Sequence, residues 1–165
     1  MGYEVFISLG SNQGLCINNL KNAIAALISP EGLKLVRASG IYQTEPQELK
    51  KQPWFYNQVI LLDVRESWTP WKLLNLLMDI EQQMGRIKKG NKGPRIIDLD
   101  ILTYGDMVLQ DQGLIIPHPL MRKRAFVLVP MLDIQPEFVF PDGQGLTDAL
   151  SRLSFRVEGL KIYQS

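Results

Sequence analysis

The chain has 165 residues, 45% of them hydrophobic and 21% charged, with a net charge of +1. That balance suits one soluble globular domain over residues 1–165, long enough for a full core. It excludes a global field that would draw the chain to nucleic acid or a membrane surface, and no apolar run approaches membrane-spanning length.

Met1-Gly2-Tyr3-Glu4 lacks the basic and apolar regions of a signal peptide, so a cytoplasmic location is expected. Residues 3–9 read as a first strand. Gly10-Ser11-Asn12 turns out of it, with Ser and Asn suited to capping a helix over 15–29. In that helix Leu15, Leu20, Ile24, Leu27 and Ile28 make an apolar stripe. The single cysteine, Cys16, excludes an internal disulfide and reads as a buried small hydrophobe. Residues 33–43 form a second strand, 44–53 a polar loop with two prolines, and 54–64 a third strand. Thr69-Pro70 opens a helix to about Met84, with Trp71, Leu74, Leu77, Met78 and Met84 facing inward. A basic, glycine-bearing loop and a strand near 96–102 follow. The order β-α-β-β-α-β is that of a ferredoxin-like α+β domain, a mainly antiparallel sheet with helices on its faces. A hairpin over 107–116, short C-terminal helices and a last strand near 157–163 complete the expectation.

Five constellations are candidates for chemistry. Asp98 and Asp100 interrupt the apolar run Ile96-Ile97-Asp98-Leu99-Asp100-Ile101-Leu102 and share one strand face. A divalent cation held with substrate phosphates would relieve their repulsion; the alternative is ion pairing with Arg95 or Arg124. Arg86, Lys88, Lys89, Lys92 and Arg95 surround Gly90 and Gly93 without an intervening acid. This suits either a phosphate cradle or a solvated loop, and it is not a P-loop. Glu81 lies on the inward stripe of its helix and needs a partner, for which Arg86 is a candidate. Asn57 shares a strand face with Phe55, a pair suited to stacking on a flat heterocycle and reading its edge, or simply a satisfied core amide. His118, between Pro117 and Pro119, precedes the bases Arg122, Lys123 and Arg124. One histidine cannot build a typical His-based zinc site, but it can contact phosphate.

Together these segments resemble the 6-hydroxymethyl-7,8-dihydropterin pyrophosphokinase family of folate biosynthesis. The matching text is Ile7-Ser8-Leu9-Gly10-Ser11-Asn12, Tyr42-Gln43-Thr44-Glu45-Pro46, Phe55-Tyr56-Asn57, Glu81 with Gly85-Arg86, Gly93 to Leu102, Pro117-His118-Pro119 and Arg124 to Leu128. The resemblance implies transfer of pyrophosphate from ATP to the pterin hydroxymethyl group, with AMP as the other product. It implies two Mg²⁺ ions on Asp98 and Asp100, with Arg86 and Arg95 also catalytic. Glu81, Arg86, Lys88, Lys92, Arg95, Ile101, His118 and Arg124 would hold ATP. Gly10, Thr44, Glu45, Pro46, Gln47, Phe55, Asn57 and Phe126 would hold the pterin. Loops 44–53 and 86–94 would act as lids.

Lys92 stands where some members have tryptophan, Lys88 and Gly113 where arginine is common, and Phe55 where tyrosine is frequent. These departures imply altered nucleotide affinity or lid behaviour. A monomer is expected. Two other readings fit the basic loop, a nucleic-acid-binding ferredoxin-like domain and a non-catalytic nucleotide-sensing module; the first lacks aromatic RNP motifs.

Overall fold

Nine strands and four α-helices run in the order β1 (Gly2–Ser11), α1 (Cys16–Leu27), β2 (Leu33–Ala38), β3 (Tyr42–Thr44), β4 (Phe55–Arg65), α2 (Pro70–Gln83), β5 (Asp98–Tyr104), β6 (Leu109–Gln110), β7 (Ile115–Ile116), α3 (Ala125–Ile134), α4 (Leu146–Ser151), β8 (Phe155–Glu158) and β9 (Lys161–Gln164) among the described residues. The structure is a computed structural model and describes residues 2–46, 50–85 and 93–164.

The main sheet has the order β5-β1-β4-β3-β9-β8, with β2 also paired to β4. β1, β4 and β5 pair antiparallel, with β2 and β3 as successive segments along the far edge of β4. This is the ferredoxin-like arrangement expected from the element order, and the β6–β7 hairpin is also present. The expected second strand is broken at Ser39. Its N–H donates to the Val59 carbonyl and its Oγ accepts from the Val59 N–H, so the segment bends there while staying on β4. The expected last strand is a hairpin: β8 pairs with β9, and β9 joins the main sheet by parallel pairing to β3. Gly159, at φ +61°, makes the tight turn between them.

Strand alternation gives the sheet a core on each side. Val5, Ile7 and Leu9 of β1 and Ile60, Leu62 and Val64 of β4 pack under α1 and α2. Phe6, Val59, Leu61 and Leu102 pack under α3 and α4 on the opposite face. α3 is apolar nearly all round, as expected for a helix enclosed by sheet and neighbours. A bulge adds Leu102 to β5 between the pairs Ile7–Ile101 and Phe6–Thr103. Leu102 therefore joins one core and Tyr104 the other, where the Tyr104 hydroxyl donates to the Trp68 carbonyl.

Several helix details differ from expectation. Thr69 caps α2, its Oγ1 accepting from the Lys72 N–H at 3.1 Å. α1 has no side-chain cap, because Asn12 is used elsewhere and Ser11 accepts from Asn19 Nδ2. Leu15, 73% exposed, precedes α1, and Ile28 is exposed beyond it; Leu20, Ala23 and Leu27 form the buried stripe. Cys16 is half-buried, not fully buried, with Sγ 3.6 Å from the Gly14 carbonyl. The inward stripe of α2 is Leu73, Leu77, Ile80 and Glu81, while Trp71 and Met78 are exposed. Two adjacent apolar rows run along this helix, and burial of Leu73 and Ile80 settles which one faces the sheet. Trp71 instead lies over Gly113, where an added Cβ would sit 3.3 Å from the indole.

The Tyr42 hydroxyl, under α3, donates to Asp133 Oδ2 at 2.8 Å. Burial, reinforced by Asp133, pushes the Tyr42 phenol up to about 12. Unfolded phenols ionise near ~10, so the folded state holds this proton more tightly. The associated stability is complete below pH ~10 and declines as pH rises through ~12. Tyr42→Phe should be about 1 kcal/mol less stable than the parent at pH ~7. It should also lose less stability between pH ~10 and ~12. Urea midpoints across that range check both points, and parallel curves would contradict the assignment.

Candidate active site

At one end of the sheet, the face that carries the α3 core changes from apolar to polar. Along β1 it runs Phe6, Ser8, Gly10; along β4, Leu61, Val59, Asn57, Phe55; along β5, Leu102, Asp100, Asp98. α3 covers the apolar part and begins at Ala125, so the polar part remains open as a cleft.

The register brings the predicted residues together. Asp100 lies opposite Ser8, and Asp98 opposite Gly10, which in turn lies opposite Asn57. Both aspartates point into the cleft, as expected from their spacing. Arg95 Nη1 lies 3.3 Å from Asp98 Oδ2. The same guanidinium stacks over the Phe55 ring at 5.2 Å. Phe126 lines the cleft from the start of α3, with Arg124 against its ring at 5.4 Å. Thr44 and Glu45 line it from β3 and the loop beyond, and Pro46 is buried beside them.

Asn57 is 5% exposed, and its Nδ2 donates to Thr44 Oγ1 at 2.5 Å. Its Oδ1 overhangs Gly10, where a Cβ would lie 2.8 Å from that oxygen. Gly10 is thus required by close approach, and any side chain there would displace the amide.

Three predicted residues sit differently. The Ile101 side chain is 3% exposed and belongs to the α1/α2 core, pointing away from the cleft. Glu81 is also 3% exposed, and its Oε2 accepts from the Leu99 N–H at 2.7 Å. It braces β5 at the residue between the two aspartates, from the other side of the strand. His118 is held by its main chain, whose N–H donates to the Leu102 carbonyl, and its Nδ1 accepts from the Leu120 N–H at 3.1 Å. That bond leaves Nε2 as the protonated nitrogen of the neutral ring. Gln47, Arg86, Lys88 and Lys92, with most of the basic loop, lie outside the described residues.

Sequence reasoning missed Asn12. It is 4% exposed; its Oδ1 accepts from the Arg95 N–H at 2.8 Å, and its N–H donates to the Arg95 carbonyl at 3.1 Å. Its Nδ2 reaches Gln52 Oε1 and the Pro53 carbonyl, each at 2.9 Å. One buried amide therefore ties the end of β1 to the Arg95 segment and to the loop before β4. Position beside a helix start suggested a cap, and only the fold reveals the cross-link. Ser8 and Gln52, which also line the cleft, were likewise passed over.

The aspartates fit a hard divalent cation: they are oxygen ligands on one face, at the open end of a cleft with neighbouring cations for phosphate. No cluster of three or more acidic, histidine or cysteine side chains suited to a metal occurs among the described residues. This suits a cation completed by substrate oxygens and water better than a dedicated protein cage.

The family model for 7,8-dihydro-6-hydroxymethylpterin-pyrophosphokinase (HPPK) matches residues 6–136. The folic acid synthesis protein fol1 of Schizosaccharomyces pombe is 41% identical over 97% of this chain and 21% of its own length. That of Pneumocystis carinii is 45% identical over 83% of this chain and 18% of its own length, so the chain spans about a fifth of these relatives. The 2-amino-4-hydroxy-6-hydroxymethyldihydropteridine pyrophosphokinase of Methylorubrum extorquens is 36% identical over 91% of this chain and 93% of its own length. The solved structure of wild-type Plasmodium falciparum HPPK-DHPS with pteroate superposes with a TM-score of 0.71 at 14% identity. It covers 98% of this chain and 47% of that one, a likeness of fold alone.

Removing the brace on β5 should be measurable. Glu81→Ala is expected to cost about 2 kcal/mol, by stranding the buried Leu99 N–H. Glu81→Gln, which keeps an acceptor, should cost less. Thermal melts that rank the two variants equally would remove Glu81 from this role.

Proposed function

The chain belongs to the 7,8-dihydro-6-hydroxymethylpterin-pyrophosphokinase family, and from that premise we propose that it transfers the β,γ-pyrophosphoryl group of ATP to the hydroxymethyl oxygen of 6-hydroxymethyl-7,8-dihydropterin, a step of folate biosynthesis. The observation that carries this reading is that one cleft joins an aromatic–amide end to an acid–arginine end. In the reaction the pterin alcohol forms a bond to the β-phosphorus, the bond from that phosphorus to the α,β-bridging oxygen breaks, and AMP leaves. The alcohol proton is released to solvent.

The pterin stacks between Phe55 and Phe126, and Asn57 with the Thr44–Gln47 main chain reads its hydrogen-bonding edge. Gly10 lets that ring lie close to β1. This places the hydroxymethyl group toward Asp98 and Asp100. Arg95, His118 and Arg124, together with Arg86, Lys88 and Lys92, hold the triphosphate. Glu81 acts on the nucleotide indirectly, by fixing β5, and Ile101 contributes through its main chain. Asp98 and Asp100 would hold two Mg²⁺ ions, whose chemistry there would be neutralisation of phosphate charge and a lowered pKa for the alcohol. Phosphoryl chemistry of this kind needs positioning and electrostatic stabilisation more than a dedicated base.

Arg95 has two uses for one guanidinium. It is packed on Phe55 and paired with Asp98, so it is preorganised before phosphate arrives. The acids beside it disfavour a nucleic-acid backbone at this cleft. No helix among the described residues is long and apolar enough to cross a membrane.

The direct test supplies the dihydropterin, ATP and Mg²⁺ and identifies the nucleotide formed. AMP is expected; ADP, or no turnover, would overturn the reading. Asp98→Ala and Asp100→Ala should each lower kcat/KM by about a thousandfold, equivalent to about 4 kcal/mol of transition-state stabilisation, with the melting temperature retained. Phe126→Ala should weaken pterin binding about tenfold in a calorimetric titration, with ATP affinity nearly unchanged.

A further inference from the structure

Ser8 occupies the floor of the cleft, at the centre of the grid that the register creates. Asp100 is its partner on β5 and Val59 its partner on β4. Next along the same face come Gly10, under the Asn57 amide, and Phe6, in the α3 core. Residues directly opposite on antiparallel strands have Cβ atoms about 5 Å apart. A small group lying over Ser8 is therefore within reach of both the Ser8 hydroxyl and the Asp100 carboxylate.

The neighbouring hydroxyls are committed. Ser11 Oγ accepts from Asn19, Ser39 Oγ both donates to the Gly40 carbonyl and accepts from Val59, and Thr44 Oγ1 accepts from Asn57. The Ser8 hydroxyl makes no hydrogen bond to another described residue, although it is half-buried and lines the cleft. A hydroxyl removed from water without a partner is unfavourable, and an alanine would fill this position on the face without that cost.

Resting on the reaction proposed above, we infer that Ser8 Oγ hydrogen-bonds the alcohol oxygen of the pterin and fixes the rotamer from which it attacks. The position matches this role and no other part of the acceptor. The stacked ring is held by Phe55, Phe126 and Asn57, and the alcohol is the portion that must cross from them to the acids. Ser8 is the polar side chain on that path. It accepts no proton in the reaction; it orients the oxygen so that a lone pair faces the β-phosphorus.

A cycle between protein and ligand isolates this contact. The ligands are 6-hydroxymethyl-7,8-dihydropterin and its 6-methyl analogue, titrated calorimetrically into parent and Ser8→Ala protein. Mg²⁺ and α,β-methylene ATP, whose scissile bridge cannot be cleaved, are present throughout. Ser8→Ala should weaken the hydroxymethyl ligand about three- to tenfold, the size of one net hydrogen bond, and leave the methyl ligand within about twofold. The melting temperature should not fall, and kcat should drop along with affinity for the alcohol. Equal weakening of both ligands, or of neither, would overturn the assignment while leaving the pyrophosphokinase reading intact. Failure of the parent protein to bind either pterin would overturn that reading, and the assignment with it.

Discussion

The site depends on the register between β1 and β5. Opposite Leu9 lies Leu99, and this pairing sets Asp98 and Asp100 on the face away from α1 and α2. A slip of one residue would drive both carboxylates into the Leu20–Leu73–Leu77 core and expose Leu99 and Ile101. Two unpaired charges in such a core would cost far more than a domain's net stability. The apolar partners of one face thus enforce the placement of the acids on the other. Glu81 and Asn12 add local control, one bonded to the Leu99 N–H and the other to both main-chain groups of Arg95.

These restraints act on three carboxylates that the fold brings to one stretch of β5: Asp98 and Asp100 on the strand itself, and Glu81 from α2. Asp98 is offset by Arg95, and Glu81 faces the opposite side of the strand, where it meets main-chain N–H. The strand is therefore rigid from behind and charged in front. Rigidity of this kind is what positioning chemistry requires, since misplacement by ~1 Å can cost about a hundredfold in rate. The aromatic end is built on the same logic. Phe55 and Asn57 project from the long central strand β4, and Phe126 from the first turn of a helix packed between sheet and C-terminal segment.

Much of this was legible in the sequence because it is periodic. The same-face aspartates, the Phe55–Asn57 pair and the β-α-β-β-α-β order each follow from alternation or from a capping signal such as Thr69-Pro70. What was not legible depends on partners distant in the chain. Asn12 reads as a cap until residues 52, 53 and 95 are brought beside it. The inward row of α2 was misjudged because Trp71 and Met78 are as apolar as the row that is actually buried. Ile101 was carried over by number from a family pattern, which does not say that its side chain serves the core on the face away from the cleft. The last strand was expected near 157–163, but nothing local shows that β9 lies directly beside Thr44.

That last pairing bears on how the molecule folds. Joining Gln43 to Lys161 and Thr44 to Ile162 closes most of the chain into one loop, whereas β1, β2 and β4 meet through much shorter ones. Loop-closure entropy grows only slowly with length, but contacts distant in sequence form slowly. The sheet therefore has an early centre and a late rim, and Thr44 sits at the seam. Partial opening that peels β9 from β3 would loosen the heterocycle-reading edge while the acid-bearing strand, zipped to β1, stays in register. Recognition and chemistry would then be lost at different free energies of opening, the first at the lower one.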